Sequence, residues 1–149
     1  MKFIGVVGVV ALCFAISLQY AFAQSNPRWT DLYVCGASKG QSLYLGEHGW
    51  QADGISKGVV IARKSGNDFD LFIGDGVAGF TALQDGAEVI GRFFRDGSLQ
   101  ILAYYPLTIE TYLFSCPVSG RVKLAWTQSK SSATGAKAAL FESSCFVKR

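Results

Sequence analysis

Residues 121–127 read Arg121-Val122-Lys123-Leu124-Ala125-Trp126-Thr127, and this run decides the fold class. Val122, Leu124 and Trp126 fall on one side of a pleated backbone and Arg121, Lys123 and Thr127 on the other, because successive strand side chains alternate. The same period of two recurs on either side of it. Phe69, Leu71 and Ile73 share a face, with Asp68 and Asp70 opposite. Ile109, Thr111 and Leu113 point away from Glu110, Tyr112 and Phe114. Residues 99–105 are apolar on both faces and read as a central strand. Between the runs stand turn signals: Asp53-Gly54, Ser65-Gly66-Asn67-Asp68, Asp75-Gly76, Asp85-Gly86, Asp96-Gly97, Pro106 and Pro117-Val118-Ser119-Gly120. Asp-Gly suits a tight hairpin, whose central residues need positive φ. The turns recur about every ten to thirteen residues, the beat of a sandwich or barrel.

Ten strands are predicted, near residues 30–36, 42–47, 58–64, 68–74, 78–83, 87–95, 98–105, 108–115, 120–128 and 138–144. Residues 136–144 stay open between a strand and the start of a short helix. No stretch longer than about twelve residues carries an apolar stripe at helical spacing, which excludes βαβ architecture. The expected fold is all-β: an antiparallel meander closed into a small barrel or curved sandwich of about 8–10 strands. Closure hides the sheet edges. The only low-complexity patch, residues 129–135, is expected to be an exposed loop.

The chain has 149 residues. Met1 and Lys2 form a short positive start, residues 3–22 are almost wholly apolar, and Ala21-Phe22-Ala23 is an A-x-A cleavage signature. Residues 1–23 are therefore expected to be a signal peptide, leaving Gln24 first and one domain over residues 24–149. Leu12 is too bulky to precede a lipidated Cys13, and no later segment is apolar enough to span, so the destination is secreted or periplasmic, with no membrane span after cleavage. Lys2 is the leader's only charged residue, so the net charge of +3 falls to +2. That excludes a dedicated nucleic-acid binder, which shows a strong basic excess.

Cys35, Cys116 and Cys145 survive cleavage. An oxidising compartment favours one disulfide and one spare thiol. In a closed meander the first and last strands are neighbours, which brings Cys35 and Cys145 within the roughly 4.4–6.8 Å Cα separation of a bridge. Cys116, beside Pro117 at a turn, is the expected spare. There is no C-x-x-C, and the single His48 completes no local zinc set, so neither a metal nor another cofactor is expected.

Other motifs tempt without their context. Gly36-Ala37-Ser38-Lys39-Gly40 matches the nucleophile elbow G-x-S-x-G, which works between a strand and a helix. Here another strand follows, and the only acid between Ser38 and His48 is Glu47; the segment reads as a Gly/Ser hairpin turn. Gly74-Asp75-Gly76-Val77-Ala78-Gly79 matches G-x-G-x-x-G, but the Asp85-Gly86 turn leaves no room for the helix that would receive a pyrophosphate. Asp68, Asp70 and Asp75 lack the calcium-loop pattern, and the first two read as acids on a strand's outer face. Arg92-Phe93-Phe94-Arg95 interleaves charge and ring as single-strand binders do, yet alternation explains it, with aromatics inward. His48-Gly49-Trp50 reads as a loop whose Trp caps a barrel end or lines a ligand site.

Tyr33-Val34-Cys35, Cys145 and Ser65-Gly66-Asn67-Asp68-Phe69 resemble the periplasmic inhibitors of C-type lysozyme. These are small antiparallel barrels with an aromatic-x-Cys in the first strand and a late Cys. Their inhibitory loop reads S-G-x-x-Y, where this chain has Phe69, and their aromatic Lys-Gly motif has no counterpart. The resemblance implies that Ser65 and Gly66 lie in a loop entering a lysozyme cleft. Ala103-Tyr104-Tyr105-Pro106, Thr108-Ile109-Glu110-Thr111-Tyr112, Trp126-Thr127-Gln128 and Ala138-Ala139-Leu140-Phe141 resemble small secreted proteins of alphaproteobacteria, a likeness that implies no activity. The expected function is binding without catalysis, of an unidentified protein or small ligand. The alternatives are an inhibitor of a cell-wall hydrolase such as lysozyme and a small secreted hydrolase. Ser65, Gly66, His48 and Trp50 are the candidate binding-loop residues.

Overall fold

Alternation along the chain becomes a single curled sheet. The computed structural model describes residues 28–46, 49–75, 78–132 and 135–148; the expected leader lies outside them. The strands are β1 Thr30–Leu45, β2 Gly49–Asp53, β3 Val59–Ser65, β4 Asp68–Gly74, β5 Gly79–Thr81, β6 Glu88–Phe93, β7 Leu99–Tyr105, β8 Thr108–Phe114, β9 Arg121–Ser132 and β10 Gly135–Val147. All pair antiparallel in the order β5-β4-β3-β1-β10-β9-β8-β7-β6, with β2 on β1, and the sheet curls into a half-barrel. The expected all-β, meander-like, barrel-like fold is the fold observed. No helix occurs among the described residues.

β1 departs from the expected pattern. Residues 36–40 are not a turn, and the strands expected at 30–36 and 42–47 are one strand of 16 residues. Cys35 is opposite Cys145 and Ser38 opposite Ser143. Three steps on β1 thus match two on β10, which is a β-bulge absorbing one extra residue. The Ser143 hydroxyl reaches the carbonyls of Gly36 and Ala37, each at 3.0 Å, which the bulge displaces from the ladder. The bulge also divides the other edge of β1: Thr30–Cys35 pairs with β3, and Gly40–Tyr44 pairs with β2. Trp50 is therefore in a strand, opposite Leu43, rather than in a loop. Residues 129–132 extend β9 and residues 135–147 are all strand, so the patch expected as a loop is strand where it is described, with residues 133 and 134 outside the described residues, and no short helix forms at 136–144.

Two Asp-Gly steps make connections, Asp85-Gly86 and Asp96-Gly97, while Gly76 lies outside the described residues. Gly86 and Gly97 take φ of 85° and 83°, a region closed to most side chains. Asp53-Gly54 does not form such a turn: a Cβ on Gly54 would lie 2.4 Å from the Ser38 carbonyl oxygen, so glycine here permits a close backbone approach.

The sheet's edges, β5 and β6, are consecutive in sequence. Side chains rather than ladder hydrogen bonds close the seam between β4 and β6. The Phe69 and Phe93 rings lie 5.9 Å apart, and Gly91 leaves room beneath Phe69. Phe93, opposite the buried Leu99, is on the inner face but stays partly exposed because β6 is an edge, and Phe94, just past the strand, is partly exposed as well.

Inward-facing residues form two zones along the barrel. One end is apolar: Val60, Ala62, Leu71, Leu99, Ile101, Phe114, Val122 and Leu124 are buried around the Cys35–Cys145 disulfide. The two residues are directly opposed in the ladder, with Cα atoms 3.9 Å apart, nearer than expected. Cys116 is free and exposed. Toward the other end the inward positions turn polar. On β9 they run Val122, Leu124, Trp126, Gln128, Lys130; on β8, Phe114, Tyr112, Glu110, Thr108.

Candidate functional site

The polar zone surrounds a cavity of about 590 Å³ at the mouth of the half-barrel. Its walls come from strands distant in sequence: β2, β4, β5, β7, β8, β9 and β10 each contribute. Aromatic faces dominate the deep part. The Trp126 ring lies 5.7 Å from Tyr112, nearly parallel to it, and 4.7 Å from Phe141. Tyr105, Phe80 and Leu107 line the shallower part.

Two polar groups are set among these rings. The first is Glu110, only 8% exposed. Its register opposite Gln128 on β9 and Ala103 on β7 places it on the inner face. Its carboxylate accepts hydrogen bonds from the Tyr112 hydroxyl and the Gln128 side-chain amide, both at 2.6 Å. The second joins three strands. Asp53, at the end of β2, accepts from the Lys137 ammonium of β10 at 2.7 Å, from the Ser42 hydroxyl of β1 and from its neighbour's backbone N–H in Gly54. Burial works against the Asp53 charge, but Lys137 and these donors outweigh it and hold the carboxyl below its ordinary range. Burial likewise works against the Lys137 charge, and Asp53 outweighs it, so the ammonium is held more firmly than usual.

Tyr105 is partly buried in the mouth, with carboxylates nearby. Its hydroxyl is pushed up to about 12, first by burial and then by the Glu110, Asp85 and Asp70 carboxylates. Burial, followed by Glu110, raises Tyr112 well above the usual phenol value. Asp70, expected on an outer face, is 2% exposed and binds the backbone N–H groups of Leu71 and Leu83. The turn after β5 folds back over β4 and covers it.

The tempting motifs resolve into structure. The Ser38 hydroxyl accepts from the Ile55 N–H at 3.1 Å, tying the β2–β3 connection to β1, and lies in a strand rather than before a helix. The Gly74–Gly79 segment leads into the short β5 and then a turn. Among the described residues no group of three His, Cys, Asp or Glu side chains could hold a metal.

The candidate loop residues do not converge. Ser65 and Gly66 form the tip of the β3–β4 hairpin, beside the start of β1. Trp50 is 64% exposed on the barrel's outer side, beside Gln41 and Leu140. The two places are at opposite ends of β1, about 40 Å apart along an extended strand. His48 lies outside the described residues. Residues that do converge, Glu110, Gln128, Asp53 and Lys137, were not singled out from the sequence. The available signal was Glu110 within a run otherwise rich in β-branched and aromatic residues. Its alternation shows that Glu110 shares a face with Tyr112 and Phe114, but not that this face is the inner one.

Comparison with protein-family models, with curated proteins and with solved structures gives no match for this chain.

Proposed function

We propose that this chain is an exported binding protein that takes a small ligand into the mouth of its half-barrel and performs no chemistry on it. The observation that carries this reading is the cavity itself. Its lining combines ring faces with a few convergent polar groups, the make-up of a small-molecule site. Those polar groups are engaged with one another. Both Glu110 oxygens accept hydrogen bonds, and Asp53 is held by Lys137, Ser42 and Gly54. Such an arrangement suits recognition better than proton transfer. The disulfide suits an oxidising destination, as the apolar leader does.

The test is binding of the neutral fluorescent probe N-phenyl-1-naphthylamine. Its emission should rise on mixing with the protein. Thr108→Trp, which fills the mouth, should abolish the rise, whereas Thr127→Trp on the outer face should not. No rise with the unmodified protein, or an equal rise with Thr108→Trp, would overturn the reading.

A second reading, inhibition of a C-type lysozyme, is favoured by the hairpin tip, where Gly66, Asn67 and Asp68 are exposed. It expects lysozyme inhibition at micromolar protein that is lost in Gly66→Trp.

A further inference from the structure

The mouth holds a buried carboxylate, Glu110, that pairs with no cation among the described residues. Its two hydrogen-bond donors, the Tyr112 hydroxyl and the Gln128 amide, are neutral. Lys137, an ammonium of the same mouth, is committed to Asp53 at 2.7 Å. Lys130 is exposed at the rim, where solvent screens it. A carboxylate removed from water without a positive partner is costly, and a ligand that supplies the partner regains that cost on binding. Resting on the binding reading above, we infer that the group inserted into the mouth is a protonated amine carried on an apolar or aromatic body.

The rest of the cavity fits that class. The Trp126 and Tyr112 rings line the deep part, and ring faces attract organic cations; the Phe141 ring beside them already faces the Lys137 ammonium at 5.9 Å. Asp85 adds a further carboxylate to the lining, beside Glu110 and the Lys137-paired Asp53, so an anionic ligand meets repulsion. A metal ion fits poorly, since hard cations take about six to eight oxygen ligands and no acidic cluster of that kind is present among the described residues.

The experiment is calorimetric titration of the full chain with three indoles matched in ring and nearly matched in chain: tryptamine as cation, indole-3-ethanol as neutral, indole-3-acetate as anion. The expected order is tryptamine at least tenfold tighter than indole-3-ethanol, with indole-3-acetate weakest. Glu110→Gln, which keeps the shape, should lower tryptamine affinity at least tenfold and change indole-3-ethanol less than twofold. Should Glu110→Gln fail to fold, Asp85→Asn on the turn after β5 takes its place, with an expected two- to threefold loss for tryptamine alone. Equal affinity for the three indoles would overturn the inference and leave the binding reading standing. So would absence of indole binding to a protein that still takes up N-phenyl-1-naphthylamine. Loss of binding by every probe, the neutral dye included, would instead overturn the reading on which the inference rests.

Discussion

Asp53 and Lys137 show how single residues hold the mouth open. Their side chains are 29% and 23% exposed, and the pair ties β2 to β10 across β1. Lys137→Met should therefore destabilise the fold by about 1 kcal/mol, because Asp53 keeps its burial and loses its strongest partner. The pH dependence follows from the two shifts. Asp53 ionises below its ordinary 3.8 in the fold, so its contribution is complete above that value and disappears as pH falls through the lower folded value. Lys137 sits above its ordinary 10.5, so its contribution is complete below that value and disappears as pH rises through the higher folded value. The stability difference between the unmodified protein and Lys137→Met should thus be flat from about pH 5 to pH 9 and shrink toward both extremes. Urea denaturation across pH measures it. A difference that persisted undiminished at pH 2 would contradict the role given to the pair.

At the scale of elements, the sequence was legible wherever alternation ran uninterrupted. The expected positions of β3, β4, β7 and β8 match the observed strands within a residue or two. It was illegible in β1, and the reason is physical. Glycine at 36 and 40 carries the composition of a turn, while the bulge resets which residue numbers face inward, from Tyr33 and Cys35 to Ser38 and Ser42. A bulge is defined by its partner strand, so its position is not contained in the segment itself. The bulge makes a specific prediction. Deleting Ala37 gives a regular ladder with both faces preserved and should cost about 1–2 kcal/mol, mostly through the Ser143 hydrogen bonds. Deleting Gln41, in the regular part of the strand, turns Ser42 outward and Leu43 toward Asp53, and should cost at least twice as much. Equal denaturation midpoints for the two deletions would refute the bulge. The mouth was illegible for a related reason. Alternation divides β8 into two faces, but Ile109 and Leu113 are as apolar as Tyr112 and Phe114, so only closure of the sheet decides that Glu110 is inside.

For the whole molecule, the seam is the weakest join. Elsewhere neighbouring strands share a ladder, whereas β4 and β6 meet through Phe69, Phe93 and the bare backbone of Gly91. A Cβ on Gly91 would lie 2.3 Å from the Phe69 ring, so Gly91→Ala should force the seam apart at a cost of about 1–3 kcal/mol. Amide exchange should quicken in β4 and β6 and stay unchanged in β9 and β10. Uniform quickening would mean that the seam does not open separately from the rest. The strand order carries a further consequence. The amide of Lys148 bonds to the Leu32 carbonyl at 3.0 Å, and β1 and β10 are paired along most of their length. A circular permutant joined there and cut in the turn after β5 would run β6 through β10, then β1, β3, β4 and β5, each strand of this path beside the one before it. Only β2 would remain as an excursion from this path. In that permuted order the fold is a plain ribbon of hairpins whose two ends meet at the seam, beside the Phe80 and Asp85 that line the mouth.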